Sequence, residues 1–400
     1  MISATEQRLL ARIDEDLLLR VCTALVRATG QNPPGEEAAT VAVLDAVGRE
    51  LGLQVTTTTV EPGRDNLSLI VGNGSGPGLL LLGHTDVVPV GAGWTTDPYG
   101  AEIRDGRIYG RGAADMKGGL AAAVAALAAL RDTELSGPVE LAAVVDEEET
   151  GKGIRAFVQD SPREYVGCIT AEPTDLQTII AARGDSYLRV TVHGRAVHAG
   201  NAQDGANAIY GATAIITEIE RLNAELAASP HPLIGPAAWS VGQINGGTSG
   251  SIVPAECVVI ADRRLLPGES PAAVLENLRD RVKALRLEDR GLTVELEMPM
   301  EMPPFETPAD AELVRITEAA RRDAGGPDVP LGGWGAACDG GYVDRDLGIP
   351  VVVLGPGSVA HQAHRADESV PIAELAIAAR AYLLAAVRLL SPPPSQPARP

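Results

Sequence analysis

The sequence predicts an α/β protein, with a catalytic domain on a mainly parallel sheet interrupted by an inserted domain of ferredoxin-like βαββαβ order. Three observations lead there. Four short, almost wholly apolar runs, bounded by glycine or polar turns, read as buried strands separated by helical stretches. Each is followed by side chains able to ligate a metal, and open parallel sheets place their ligands at strand C-termini. Between Gly184 and Pro299 the pattern switches to alternating strands and amphipathic helices in split-βαβ order.

Taken in order, residues 5 to 29 read as one amphipathic helix stopped by Asn32-Pro33-Pro34-Gly35, and Glu36 to Leu51 as a second. Leu53 to Val60 and Asn66 to Val71 read as strands. Gly72 to Gly78 is rich in glycine but precedes its strand, the reverse of a dinucleotide fingerprint. Gly151-Lys152 is followed by Gly153, with no phosphate-loop pattern leading into it. Leu79 to Leu82 is the first buried strand, ending in Gly83, His84, Thr85 and Asp86. Gly110-Arg111-Gly112 forms a backbone hinge ahead of Asp115 and the alanine-rich helix Leu120 to Arg131. Pro138 to Val145 ends in Asp146-Glu147-Glu148-Glu149, and Val166 to Ala171 ends in Glu172-Pro173. Ile349 to Leu354 is followed by a polar loop with His361 and His364.

Inside the insertion, Ser186 to His193, Ala238 to Ile244, Ile252 to Leu265 and Leu292 to Glu297 read as strands. Ala206 to Ala228 and Pro271 to Leu287 read as helices. The expected boundaries are 1–184 and 300–390 for the two parts of the catalytic domain and 185–299 for the insertion. A helix begins near Thr307-Pro308, Gly332 to Gly341 is a glycine-rich loop, and residues 391–400 form a disordered tail.

The net charge of −20 repels phosphate backbones and argues against nucleic-acid binding. Hydrophobic content of 45% fills two cores, but only 3% is aromatic, so Ala, Leu and Val must do the packing. Cys22, Cys168, Cys257 and Cys338 are scattered without a CxxC pair, as in a reducing cytosol. The N-terminus has acids among its leucines and no continuous apolar core of a signal peptide. The longest apolar run, Leu120 to Leu130, is too short to span a bilayer. A cytoplasmic protein with no membrane partner is expected.

The strand-end groups His84, Asp86, Asp115, Glu147, Glu148, Glu172 and His364 put two imidazoles among several carboxylates. That set suits Zn, Mn or Co, and it is too large for one ion, which takes about four protein ligands. A dinuclear hydrolytic site follows, with Asp86 two residues from His84 and able to orient its ring.

Five segments in order, GHTDVVP, GRGAADMKGG, DEEETG, AEPT and AHRADESV, resemble the zinc aminoacylase/carboxypeptidase family, which includes acetylornithine deacetylase and succinyl-diaminopimelate desuccinylase. The resemblance implies two zinc ions (Co or Mn as substitutes) and an inserted lid domain through which the chain forms a homodimer. It implies that His84 and Glu172 hold one metal, Glu148 and His364 the other, and that Asp115 bridges them. Glu147 would be the general base, Asp86 would orient His84, and the Asp115–Met116 peptide would be cis. His198, in RAVHAGNAQDG, would reach the partner subunit's site and stabilise the oxyanion. Arg264, in DRRLLPGE, would pair with a substrate carboxylate. Where relatives commonly carry asparagine before the Val-Pro of the lid strand, this chain has GTSGSIVPAE, which puts the shorter Ser251 at a substrate-contact position. Cys338-Asp339 resembles a family loop near the metals, without a paired His for a Cys nucleophile. His193, His231 and His361 match no motif and read as structural or surface residues.

The function these residues imply is cleavage of the amide bond of an N-acyl amino acid or related N-acylated amine. The alternative with the same metals is a carboxypeptidase or dipeptidase releasing a C-terminal amino acid. A non-catalytic metal-binding protein would be favoured by loss of a ligand or of Glu147, and none is lost.

Overall fold

A computed structural model describes residues 2–161 and 163–391; all of the expected tail beyond Ser391 lies outside the described residues. The chain forms two compact units. The first runs to Ile180, resumes over Glu306–Gly332 and continues from Tyr342; the second comprises Ala181–Phe305 and Gly333–Gly341.

In the first unit, successive strands across the sheet are Gln54–Glu61, Arg64–Val71, Val139–Val144, Gly78–His84, Tyr165–Thr170 and Val351–Val353. The last four are parallel to one another, and the first two add an antiparallel edge. Every residue of Gly78–His84 and Val139–Val144 is buried, which is why both read as almost wholly apolar runs, interrupted only by Glu140 and ended by His84. From Gly78–His84 the chain next joins the neighbour on one side, Val139–Val144, and then the neighbour on the other, Tyr165–Thr170. That reversal makes Gly78–His84 a topological switch point with a crevice beyond its C-terminal end. The register brings Leu82 level with both Ala142 and Thr170. His84, the acids after Val145, and Glu172 therefore emerge at one edge of the sheet.

The helix Gly118–Leu130 is buried almost all round. It packs on Ile372–Leu389, another alanine-rich helix, so small side chains replace aromatics by letting two backbones approach closely. Gly119 is needed at its first turn, because a Cβ there would collide with the carbonyl of Ala171 at the end of a neighbouring strand. Together with the kinked turn before it, in which Asp115 and Met116 are not helical, the stretch Ala113–Leu130 is long and apolar enough to cross a membrane, yet 94% of it is buried in this core.

Three further features differ from expectation. The single helix expected over residues 5 to 29 is two, Ala4–Leu10 and Glu15–Arg27, because Asp14 caps the second by accepting from the N–H groups of Asp16 and Leu17. A small sheet of Glu102–Arg104, Arg107–Tyr109 and Ser369–Pro371 joins segments far apart in the chain. A helix at Lys152–Asp160 follows the acidic run.

The second unit is an antiparallel sheet of Ala238–Gly246, Glu256–Leu265, Gly184–His193 and Thr293–Met302, in that spatial order. With helices Ala208–Leu226 and Pro271–Ala284, the chain order is β-α-β-β-α-β. Its last strand runs beyond the expected end at Glu297. It passes Pro299 at a register shift between Glu297 and Met300, which an edge strand tolerates, and pairs Met302 with Asp185. That extra pairing carries the unit to Phe305 instead of residue 299. The stretch Gly333–Gly341, expected with the catalytic domain, also belongs here. Gly333 packs so closely on Leu233 and Ile234 that a Cβ would not fit.

Candidate active site

The crevice at the switch point gathers all of the expected metal-competent groups. His84 is the last residue of its strand and 1% exposed. Its Nδ1 lies 2.9 Å from the backbone carbonyl of Asp86, which can only accept. Nδ1 therefore carries a proton, and Nε2 is the ring nitrogen that faces the crevice. There Nε2 meets Asp115 Oδ1 at 3.2 Å, Glu172 Oε1 at 3.5 Å and Glu147 Oε2 at 3.9 Å. The other oxygen of Asp115 is 3.3 Å from His364 Nε2, which is 3.2 Å from Glu148 Oε2. Three groupings could hold an ion: His84–Asp115–Glu172 and Asp115–Glu148–His364, which share Asp115, and His84–Glu147–Glu148. The Asp115–Met116 peptide is cis.

The four acids after Val145 have four fates. Asp146 has a left-handed backbone (φ 68°), which turns the chain at the strand end, so Glu147 and Glu148 leave a turn. Asp146 itself accepts from Asn32 Nδ2 at 3.0 Å, from Arg64 Nη2 at 2.8 Å and from the Thr150 hydroxyl. Glu147 approaches His84, Glu148 approaches His364, and Glu149 is exposed.

Asp86 holds more than the ring. Its carboxylate accepts from the backbone N–H of Glu147 (3.2 Å) and of Glu148 (3.1 Å) and from Asn32 Nδ2 (2.9 Å). Contact with His84 Nδ1 is through its carbonyl, while its own carboxylate is 3.4 Å away.

Electrostatically the cluster is built around positive charge. Burial opposes a charge on His84, yet Glu172, Asp115 and Asp86 hold its pKa well above the usual value. Hydrogen bonds to Asp115 and Glu148 push His364 up to about 10. Burial also tends to raise Asp115, but His364 and His84 outweigh it and keep its carboxyl low. Burial raises Glu148 and Glu172, and Asp115 adds to both. Glu148 Oε1 is buried with no hydrogen-bond partner among the described residues. Imidazoles pulled toward the cationic form and an unsatisfied buried carboxylate oxygen are what a site for divalent cations shows without its ions. The residues fit.

Several supporting residues escaped the sequence reading. Asn32 bridges Asp86 and Asp146. Arg64, buried, pairs with Glu37 and Asp146. Arg111 and Glu368 form a buried ion pair at 2.5 Å behind Asp115. Arg111 and Glu368 lie within motifs that carry ligands, whereas Asn32 and Arg64 lie outside all of them.

The remaining expected residues lie in the second unit. His198 is exposed, and its Nδ1 accepts from Gly200 N–H at 3.0 Å, which leaves the proton of a neutral ring on Nε2. Ser251 is its neighbour: the carbonyl of Ser251 accepts from Ala199 N–H at 2.8 Å, and its hydroxyl lies 3.1 Å from that of Ser249. Arg264 is at the other end of the strand Glu256–Leu265, roughly 25 Å away at ~3.3 Å per residue. Its fork is already engaged, with Nε and Nη2 on the two oxygens of Asp262 at 3.0 and 2.9 Å and Asp185 at 3.4 Å. Cys338 and Asp339 are buried. His193 sits between Glu256 and Glu295 on neighbouring strands, Nδ1 of His231 accepts from Leu233 N–H, and His361, which lies in the first unit, is exposed.

A doubly wound sheet whose switch point presents two imidazole–carboxylate sets sharing one aspartate defines a metal-dependent hydrolase. Residues 80–388 match Peptidase family M20/M25/M40, and the chain belongs to that family. It is 32% identical over 323 residues to an acetylornithine deacetylase of Aliivibrio fischeri, covering 80% of this chain and 83% of that one. The fold superposes on an M20 family metallo-carboxypeptidase of Sulfolobus solfataricus with a TM-score of 0.78 at 21% identity, over 93% of this chain and 99% of that one. It also matches a dinuclear metal-binding M20 peptidase of Bacillus subtilis, with a TM-score of 0.72 at 16% identity over 94% and 98%. The protein is a metal-dependent hydrolase of amide bonds.

Proposed function

We propose that the protein removes the acyl group from an N-acyl amino acid, with Asp115 shared between two zinc ions. The observation that carries this is the division of the two Asp115 oxygens between His84 and His364. His84 and Glu172 would complete one ion's protein ligands, and Glu148 and His364 the other's. Bound there, the cations would polarise the amide carbonyl and lower the pKa of water toward ~7. Imidazole with carboxylate favours zinc over calcium or magnesium.

Glu147, beside His84 and only 8% exposed, takes a proton from the attacking water as its oxygen bonds to the amide carbon. The same carboxyl then delivers that proton to the amide nitrogen as the C–N bond breaks, yielding a free carboxylic acid and amine. Asp86 keeps Glu147 and Glu148 in register with His84 through their backbone N–H groups. His198, whose Nδ1 accepts from Gly200 N–H, offers an Nε2–H donor for the oxyanion, Ser251 adds a polar neighbour, and Arg264 anchors the amino acid's carboxylate.

His198 and Arg264 sit at opposite ends of one inserted unit, and Tyr210, Ile244 and Ile252 are exposed on it. Both features support a homodimer through this unit, used as a lid, with His198 supplied in trans. Mixing inactive His198→Ala and Glu147→Ala proteins should then regenerate part of the activity, whereas a fully active monomer contradicts the arrangement. Four buried cysteines scattered along the chain without a CxxC pair support action in the cytosol, and a fractionation placing the protein outside it would refute that.

The deciding experiment is a panel of N-acetyl, N-succinyl and N-formyl amino acids and dipeptides assayed with zinc. Turnover on acyl amino acids above dipeptides supports the deacylase. The reverse order identifies a dipeptidase or carboxypeptidase on the same machinery.

A further inference from the structure

The two ligand sets are held by different means. His84 ends a buried strand, and Glu172 lies two residues beyond another, where Ala171 N–H still bonds Leu82 O at 2.8 Å. The sheet itself fixes that pair. His364 has no such support: it lies in the loop between Val351–Val353 and Ser369–Pro371, in a left-handed conformation (φ 63°), with its side chain 53% exposed. Asp115 also lies off the sheet, after a hinge at Gly112 (φ 82°).

Four residues after His364 comes Glu368, with no exposure at all. Its Oε1 accepts from the backbone N–H groups of Ala114 (2.9 Å) and Asp115 (3.0 Å). Its Oε2 takes Arg111 Nη1 at 2.5 Å. Its carbonyl accepts from Gly110 N–H at 2.8 Å. Arg111, 2% exposed, donates from Nη2 to the carbonyls of Pro89 and Val90, and from Nη1 to that of Arg365 next to His364, with Trp94 under its guanidinium. One buried ion pair thus ties the loop after the His84 strand, the Asp115 loop and the His364 loop to one another. A carboxylate spent on two backbone N–H groups and a guanidinium does not itself face the crevice; it acts through Asp115 and His364.

Resting on the dinuclear reading above, we propose that Glu368, paired with Arg111, is a positioning residue that sets the affinity of the Asp115–Glu148–His364 ion selectively. Loosening Glu368 displaces two of that ion's three protein ligands. The other ion loses precision only at Asp115 and keeps His84 and Glu172 on the sheet.

The test titrates metal-free protein with zinc against a competing chelator and follows the cobalt-substituted spectrum. Wild type should take up two ions. Glu368→Gln should keep one at wild-type affinity and bind the second ~10–10²-fold more weakly, the usual cost of losing a group that orients metal ligands. Arg111→Lys, which keeps the charge but loses the fork, should weaken the same ion less. Combining Glu368→Gln with Arg111→Met removes the clash between amide and guanidinium, leaves the amide oxygen to accept both N–H groups, and should restore part of the second affinity. If Glu368→Gln does not fold, the graded loss in Arg111→Lys decides. Two ions at wild-type affinity in either single variant, or equal weakening of both ions, would overturn the assignment of Glu368. Wild-type protein that binds no ions would instead overturn the metal reading itself.

Discussion

Asp86 Oδ1 accepts the backbone N–H of Glu147 at 3.2 Å, so the residue that seats His84 on one strand also seats the acid that faces it from the next. Asp86→Asn puts an NH2 where two backbone donors and Asn32 need an acceptor. Turnover and zinc affinity should both fall ~10–10²-fold, with the thermal transition little changed. Wild-type kinetics in this variant would show that the strand ends hold their own geometry.

Arg64 is predicted to matter for stability more than for chemistry. It is buried against Glu37, whose side chain has no exposure, and against Asp146 at 2.8 Å. Arg64→Ala leaves both acids without their cation, a loss of about 3–5 kcal/mol for a buried pair broken on one side. Urea unfolding measures it, and a loss below about 1 kcal/mol would mean that water replaces the guanidinium.

The four strands that build the crevice were legible because full burial leaves no alternation, only apolar runs cut off by glycine and followed by polar groups. Asp115 and His364 were legible through their motifs. The clamps were not: Arg111 and Glu368 meet across 257 positions, and Asn32 and Asp146 across 114, with no local periodicity to announce either. Asp14 looked like one more acid in an acidic amphipathic stretch until its side chain proved to cap a helix. One pairing could have been read in advance. Asp262 and Arg264 are two apart on a strand, which puts them on the same face.

That pairing sharpens the expectation for Arg264. A substrate carboxylate must compete with Asp262 for the same fork. Asp262→Asn should therefore lower KM, while Arg264→Ala should raise it by ~30–10³-fold, equivalent to about 2–4 kcal/mol for a charged contact. Steady-state kinetics on the best acyl amino acid check both, and a KM indifferent to either change would make Arg264 a structural partner of Asp262.

Asp185 gives the second unit a pH dependence. Burial raises its pKa to about 6, Arg264 opposes that and Asp262 adds to it. A carboxyl raised above its unfolded value of about 3.9 binds more protons in the folded state, so its effect on stability becomes less favourable as pH rises from ~4 to ~6. Asp185→Asn removes that slope and should gain stability relative to wild type at pH 7 compared with pH 4.5. Urea midpoints at the two pH values test it, and a pH-independent difference between the proteins would assign the burial cost elsewhere.

The central claim is that neighbouring acids Glu147 and Glu148 divide into base and ligand. The most direct measurement is zinc content and turnover of Glu147→Gln beside Glu148→Gln. The account predicts that Glu147→Gln keeps two ions and near wild-type KM while kcat falls by ~10²–10⁴ or more, because only the proton acceptor is gone. Glu148→Gln should lose or weaken one ion and recover part of its activity at high zinc. A Glu147→Gln protein that loses an ion while Glu148→Gln keeps both would contradict the assignment and exchange the two roles.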